Sequence, residues 1–250
     1  SIWQNAREQL MYLPKLIGHR GAKNRAPENT FASIKEAARG GAEWVELDVQ
    51  LAADNVPVLL HDQTVNRTTN GCGKISSIPS NSLKLLDAGY WFDPKYSGET
   101  VPTLQETLDL CDKLKLGVNL EIKTYDDSAY NIVTQTLSVL NKFQQDFTDK
   151  LLFSSFDTNV LRILKQLAPG WPRGLLVDNF YEGLSVELSL YECFSLHPAI
   201  SFLRSNKTVA QALGFGLPII PYTVNDLNTA TRLAELDINT FITDEPRIFW

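Results

Sequence analysis

The sequence predicts an α/β fold, a (β/α)8 barrel of the TIM type filling a single domain over residues 1–250. A small inserted lobe, residues 62–101, is expected after the second strand. Three observations carry this. Eight short apolar runs are separated by helical patterns, and parallel neighbouring strands need such crossovers. The length of 250 residues suits one large barrel. The first strand is not followed by the G-x-G-x-x-G turn of a doubly wound open sheet.

In order, residues 3–13 read as a helix stopped at Pro14, and 15–18 as strand one. Asn29 or Thr30 is placed to cap a helix whose Phe31, Ile34 and Ala38 share a stripe and which Gly40-Gly41 ends. Residues 44–49 are strand two, with 56–60 as a short continuation. From 62 to 101 the pattern breaks at Asn70-Gly71, Gly73, Pro79, Gly89, Pro94 and Gly98. That segment is too long for an ordinary loop, which makes it a lobe with packing or functional duties. Thr103 and Glu106 have capping-box spacing ahead of a helix with Leu104, Leu108 and Cys111 inward.

Strand three is 117–123, followed by a helix at 128–143. Strand four (150–154) leads to a helix capped by Asp157 and stopped by Pro169-Gly170. Strand five (173–177), a helix near 182–191, strand six (194–197) and a helix around 207–213 come next. Strand seven (218–223), a helix at 226–236 and strand eight (240–243) close the count. No full helix follows strand eight, so the N-terminal helix is expected to cover that gap or the barrel floor.

Composition narrows the function. A net charge of −6 and a pI near 5.1 lack the basic footprint of a nucleic-acid binder, while local Arg and Lys leave room for an anionic substrate. No apolar run reaches the ~20 residues of a membrane span. The first residues lack a signal-peptide pattern, so no stable membrane insertion is expected. Three cysteines, Cys72, Cys111 and Cys193, have neither metal spacing nor a disulfide framework, which points to a reducing, cytoplasmic setting. Nothing indicates the oligomeric state.

Residues 16–62 concentrate the chemistry. Glu46 and Asp48 alternate with Val45, Leu47 and Val49, so the two acids share one strand face roughly 7 Å apart. Two of the three histidines, His19 and His61, end the flanking apolar runs. In a barrel, the strand C-termini form the site, and Asn119, Glu121 and Lys123 share a face at the end of strand three. Glu46, Asp48 and Glu121 at one mouth would repel by several kcal/mol. A hard divalent cation, Mg²⁺ or Ca²⁺, resolves this with oxygen ligands. Arg20 and Lys123 suit a phosphate, and two imidazoles supply acid and base near neutral pH. Asn29 reads mainly as a helix cap, a role compatible with a site hydrogen bond, Glu28 as a neighbour of the metal, His197 as structural, and Asp244 as a cap of the chain end.

His19-Arg20-Gly21, Pro27-Glu28-Asn29-Thr30, Glu46-Leu47-Asp48-Val49, His61-Asp62 and Arg67-Thr68-Thr69 resemble the glycerophosphodiester phosphodiesterases, in particular their compact cytosolic bacterial members. Glu121-Ile122-Lys123, Ser154-Ser155-Phe156, Tyr222-Thr223-Val224-Asn225 and Thr243-Asp244 continue the likeness in order, over residues 15–246. The resemblance implies hydrolysis of glycerophosphocholine or glycerophosphoethanolamine to sn-glycerol 3-phosphate and an alcohol. It implies Glu46, Asp48 and Glu121 as metal ligands, His19 and His61 as the acid–base pair, and Arg20 and Lys123 on the phosphate. It also implies Phe156 and Tyr222 against the glycerol, although the family often has Trp where Tyr222 stands. Two alternatives follow: a related lipid phosphodiesterase of the lysophospholipase D kind, which would show an apolar rim, and a non-catalytic phosphodiester-binding barrel.

Overall fold

The computed structural model describes residues 12–250; the helix expected at 3–13 lies outside the described residues apart from its last two positions. Strands β1 (Leu16–His19), β2 (Trp44–Leu51), β4 (Gly117–Ile122), β5 (Leu151–Ser155), β6 (Arg173–Val177), β7 (Ser195–Pro198) and β8 (Phe241–Thr243) form a parallel path in the order β7-β6-β5-β4-β2-β1-β8. β3 (Pro57–Leu59) lies off that path and pairs with β2. The expected strand at 218–223 is present as bridges, Leu196 to Ile219 and Ala199 to Tyr222 on one side and Tyr222 to Ile242 on the other. Backbone bonds from Ile220 N to Leu196 O (2.9 Å) and from Ile242 N to Pro221 O (3.1 Å) carry the sheet from β7 to β8. The sheet therefore curls round on itself as a barrel.

The helices follow the caps written in the sequence. Helix α1 (Phe31–Arg39) is capped by Thr30, whose side chain accepts from Ser33 N. Between the two candidate caps the choice falls on Thr30, and Asn29 is free for other work. α2 (Ser80–Leu83) is a single turn within 62–101. Thr103 and Glu106 make both bonds of a capping box at α3 (Leu104–Lys113). Ser128, Asp157, Ser205 and Asp226 cap α4 (Ala129–Leu140), α5 (Thr158–Leu167), α7 (Asn206–Leu213) and α8 (Leu227–Glu235). α6 (Leu184–Leu190) starts instead from Gly183 in the left-handed region. Leu104, Leu108, Ile132, Val133, Val160 and Leu164 pack against Val45, Leu47 and Val49 in one cluster. The outward residues of β2 thus face helices, and Glu46 and Asp48 are left on the barrel side.

β3 departs from the expected continuation of β2. It runs antiparallel to β2, with Val49 opposite Leu59 and Leu51 opposite Pro57. The chain reverses over 52–56, with Asn55 at φ 61° and Ala52 N bonded to Val56 O at 3.0 Å. The return brings the chain back to the level of the acids, since Leu60 N donates to Asp48 O at 3.1 Å. His61 follows at once. Beyond it, residues 62–101 pack Val65, Ile75, Leu83, Ala88 and Val101 on Ala52, Val58 and Leu60.

Candidate active site

Strand register assembles the carboxylates. His19 lies opposite Glu46, Glu46 opposite Asn119 and Asp48 opposite Glu121. Ligand oxygens of Glu46, Asp48 and Glu121 fall within 4.8 Å of one another, all three residues being buried. Glu46 Oε1 and Asp48 Oδ1 have no hydrogen-bond partner among the described residues. Buried carboxylate oxygens without donors are costly, and an oxygen-only cluster of this size fits a hard cation.

The charges confirm the crowding. Burial, then Asp48 and Glu121, drives the Glu46 carboxyl well above its ordinary range. Burial and Asp48 push Glu121 up to about 7. Burial acts on Asp48 in the same sense, but Lys123 and Arg20 outweigh it and keep this acid well below its usual value. Lys123 Nζ lies 2.7 Å from Glu121 Oε1 and 3.6 Å from Asp48 Oδ1. Burial opposes its charge, yet the two carboxylates hold it protonated. In the metal-free fold the three acids therefore share less than three negative charges, and a divalent cation would restore them.

The turn after β1 sets Arg20. Arg20 is at φ 51° and Gly21 at φ 88°, and a Cβ on Gly21 would meet Ser33 Oγ at 2.4 Å. Ser33 Oγ donates to Arg20 O (2.8 Å) and accepts from Ala22 N (2.8 Å), clamping the turn to α1. Arg20 N then donates to Glu46 Oε2 at 3.2 Å, and Nη1 to Glu28 Oε2 at 2.8 Å. Asn29, at φ 55°, exchanges two hydrogen bonds with Asp48: its Nδ2 donates to Oδ2 (3.0 Å), and its Oδ1 accepts from Asp48 N (3.2 Å). Asn29 thus braces an acid and leaves the capping to Thr30.

His19 and His61 each carry a carboxylate on Nδ1. His19 Nδ1 is 2.5 Å from Asp244 Oδ1, and Asp244 Oδ2 accepts from Asn225 Nδ2 at 2.8 Å. Reading Asp244 as a chain-end cap is therefore wrong: Thr243-Asp244 ends β8 directly beside β1, and the carboxylate turns inward to His19. His61 Nδ1 is 2.8 Å from Asp62 Oδ1. In both rings the carboxylate holds the proton on Nδ1 and leaves Nε2 available. Burial lowers the His61 pKa, opposed by Asp48 and helped by Lys123 and Arg20. Gln50 Nε2 donates to Leu60 O and Asp62 O at 2.6 and 2.7 Å, fixing the chain on either side of His61.

Phe156 and Tyr222 meet edge to face, with centroids 6.2 Å apart, and Tyr222 donates to Asp178 Oδ1 at 2.8 Å. Tyr125 donates to His61 O at 3.0 Å. His197 is structural as expected: fully buried, 2.8 Å from Ser195 Oγ, and held neutral by burial at a pKa of about 3. Sequence reasoning missed Asp244 and Asp62 as partners of the histidines, and Asn225, Gln50 and Arg67 as the side chains that hold those partners or the chain beside them. The signal for Asp62 was there, since it adjoins His61, but the others come together only through the barrel.

A curled parallel barrel, with an acidic triad, two basic side chains and two carboxylate-held histidines at its strand ends, belongs to the class of barrel enzymes acting on phosphate esters. The glycerophosphoryl diester phosphodiesterase family model matches residues 19–248. A glycerophosphodiester phosphodiesterase of Caldanaerobacter subterraneus is 35% identical over 232 residues, covering 92% of this chain and 94% of its own. Among solved structures, a phosphodiesterase of Oleispira antarctica in complex with the product sn-glycerol-3-phosphate is 34% identical, with a TM-score of 0.89 and 96% of each chain covered. A glycerophosphodiester phosphodiesterase of Agrobacterium tumefaciens is 28% identical, with a TM-score of 0.81, covering 95% of this chain and 99% of that one. The chain belongs to the glycerophosphoryl diester phosphodiesterase family and is an enzyme of that kind.

Proposed function

We propose that the chain hydrolyses small glycerophosphodiesters, such as glycerophosphocholine or glycerophosphoethanolamine, to sn-glycerol 3-phosphate and an alcohol. Glu46, Asp48 and Glu121 hold one divalent cation, Mg²⁺ or Ca²⁺, which when bound supplies positive charge toward a phosphate oxygen. The observation that carries the reading is the meeting of this triad with Arg20, Lys123 and two histidines whose Nδ1 atoms are held by carboxylates. Arg20 and Lys123 grip the remaining phosphate oxygens. One histidine Nε2 takes a proton from the attacking hydroxyl, either water or the substrate's glycerol 2-hydroxyl. The other gives a proton to the departing alkoxide; where the 2-hydroxyl attacks, the cyclic phosphate it forms is then opened by water, with the two histidines exchanging roles, to give glycerol 3-phosphate. Phe156 and Tyr222 form an aromatic wall for the glycerol, and Glu28 and Asn29 support Arg20 and Asp48 from behind.

The same proposal takes the chain as one barrel domain with 62–101 as a lobe within it, working on a soluble small molecule in the cytoplasm. No helix among the described residues is long and apolar enough to cross a membrane. Among the aromatics at 90–96, Trp91 meets Phe92, Phe92 meets Tyr96 and Trp91 Nε1 donates to Ala88 O, while Tyr90 and Trp91 keep exposed faces on the lobe. The test is release of glycerol 3-phosphate from glycerophosphocholine by purified protein, in EDTA and after Mg²⁺ or Ca²⁺ is restored. Metal-dependent product is expected; folded protein that yields none with either ion sinks the reading.

A further inference from the structure

Arg67, in the 62–101 segment, stands outside the residues that face the phosphate, yet its guanidinium is bound on two sides. Nη1 donates to Glu28 Oε1 (2.8 Å) and Nη2 to Glu28 Oε2 (3.0 Å). Nε donates to Asp62 Oδ2 (2.8 Å), and Nη2 also to Asp62 Oδ1 (3.0 Å). One planar fork thus holds two carboxylates at once, which an ammonium cannot reproduce. Each carboxylate passes the constraint inward. Glu28 Oε2 accepts from Arg20 Nη1 at 2.8 Å, and Asp62 Oδ1 is 2.8 Å from His61 Nδ1.

The fork is itself anchored. The Trp91 ring lies 6.0 Å from the guanidinium carbon. The backbone around it is tied down by Thr69, whose N and Oγ1 donate to Val65 O at 3.1 and 2.7 Å. Val65 is fully buried among Ile75, Leu83 and Ala88. Packing of the segment therefore fixes where the guanidinium sits.

We propose that Arg67 is a positioning residue: it locks the phosphate-side Arg20, through Glu28, and the His61 imidazole, through Asp62, into one geometry, and so makes the 62–101 segment part of the catalytic frame. This rests on the functional reading above. Side chains that orient the groups in direct contact with a metal or substrate typically carry about 10–100-fold in activity, and a misplacement of about 1 Å can cost as much.

The experiment compares full-length wild type, R67M and R67K, all metal-loaded, on glycerophosphocholine, with thermal midpoints recorded to verify folding. R67M should lose about 10–100-fold in kcat with a much smaller change in KM. R67K should not rescue it. In an H61A background R67M should cost far less than in wild type, because the His61 half of its effect is already gone. The ring ¹⁵N signals of His61 give a readout independent of turnover: one tautomer with Nδ1–H in wild type, and a mixture in R67M. If wild type releases no glycerol 3-phosphate, the functional reading fails, and the tautomer comparison alone decides the positioning role. Turnover of R67M near wild type, equal losses with and without His61, or unchanged His61 nitrogen signals in R67M would each overturn the proposal.

Discussion

Asp244 shows most sharply what individual residues do here. It is 7% exposed, accepts from Asn225 Nδ2, and bonds His19 Nδ1. Burial would raise its pKa, but the bond to His19 outweighs this and holds it low and charged. Asp244→Asn keeps the shape but puts a donor or a weaker acceptor against Nδ1, which frees His19 to take the other tautomer. Turnover should fall about 10–100-fold with KM little changed, read by steady-state kinetics; a fall in substrate affinity alone would mean that Asp244 shapes the pocket and leaves His19 alone. The residues that the sequence made legible are those whose role follows from alternation on one strand: Glu46 with Asp48, and Glu121 with Lys123. Asp244 was not legible, because its partner lies 225 positions away and a Thr-Asp pair near a chain end reads equally well as a cap. Asn29 was half legible: its place before a helix suggested capping, and its left-handed backbone, which aims the side chain at Asp48, has no signature in sequence.

At the scale of elements, local chemistry predicted well. Ser128, Asp157 and Asp226 cap the helices expected to follow them, because a cap is decided within four residues. The capping box of α3 allows a direct check. Thr103 Oγ1 accepts from Glu106 N at 3.1 Å, and Glu106 Oε2 accepts from Thr103 N at 3.4 Å. Thr103→Ala should cost about 1 kcal/mol in stability, measured by urea unfolding, with turnover unaffected, since α3 packs on the outside of the barrel. Direction was harder to read than existence. The apolar run at 56–60 is compatible with either sense, and only the reversal at 52–56 makes β3 antiparallel and returns His61 to Asp48. The strand at 218–223 was legible as an apolar run, but it joins the sheet by bridges and short hydrogen-bonded stretches rather than a full ladder.

The whole molecule gathers like charges from β2 and β4 at one end of a barrel and leaves them buried. This fixes the pH behaviour. In the metal-free fold, Glu121 titrates at about 7 and Glu46 well above its usual value, whereas in the unfolded chain both return to the ordinary glutamate range. Buried, neutral His197 works in the opposite sense below about pH 6.5, but at these two carboxyls the fold binds more protons than the unfolded chain from about pH 4.3 up to about 7, and their own contribution to metal-free stability falls as pH rises through that window. A cation must displace those protons, so its affinity should rise with pH over the same range. The triad is thus expected to be a cation site coupled to this proton release. The most direct measurement is calorimetric titration of metal-free protein with Mg²⁺ and with Ca²⁺ at pH 6 and pH 8, in two buffers of different ionisation enthalpy, alongside Asp48→Asn. One ion per chain, tighter binding at pH 8, proton release at pH 6 and loss of binding in the variant are expected. Binding that ignores pH and survives Asp48→Asn, or no binding by folded wild-type protein, would contradict this role of the triad.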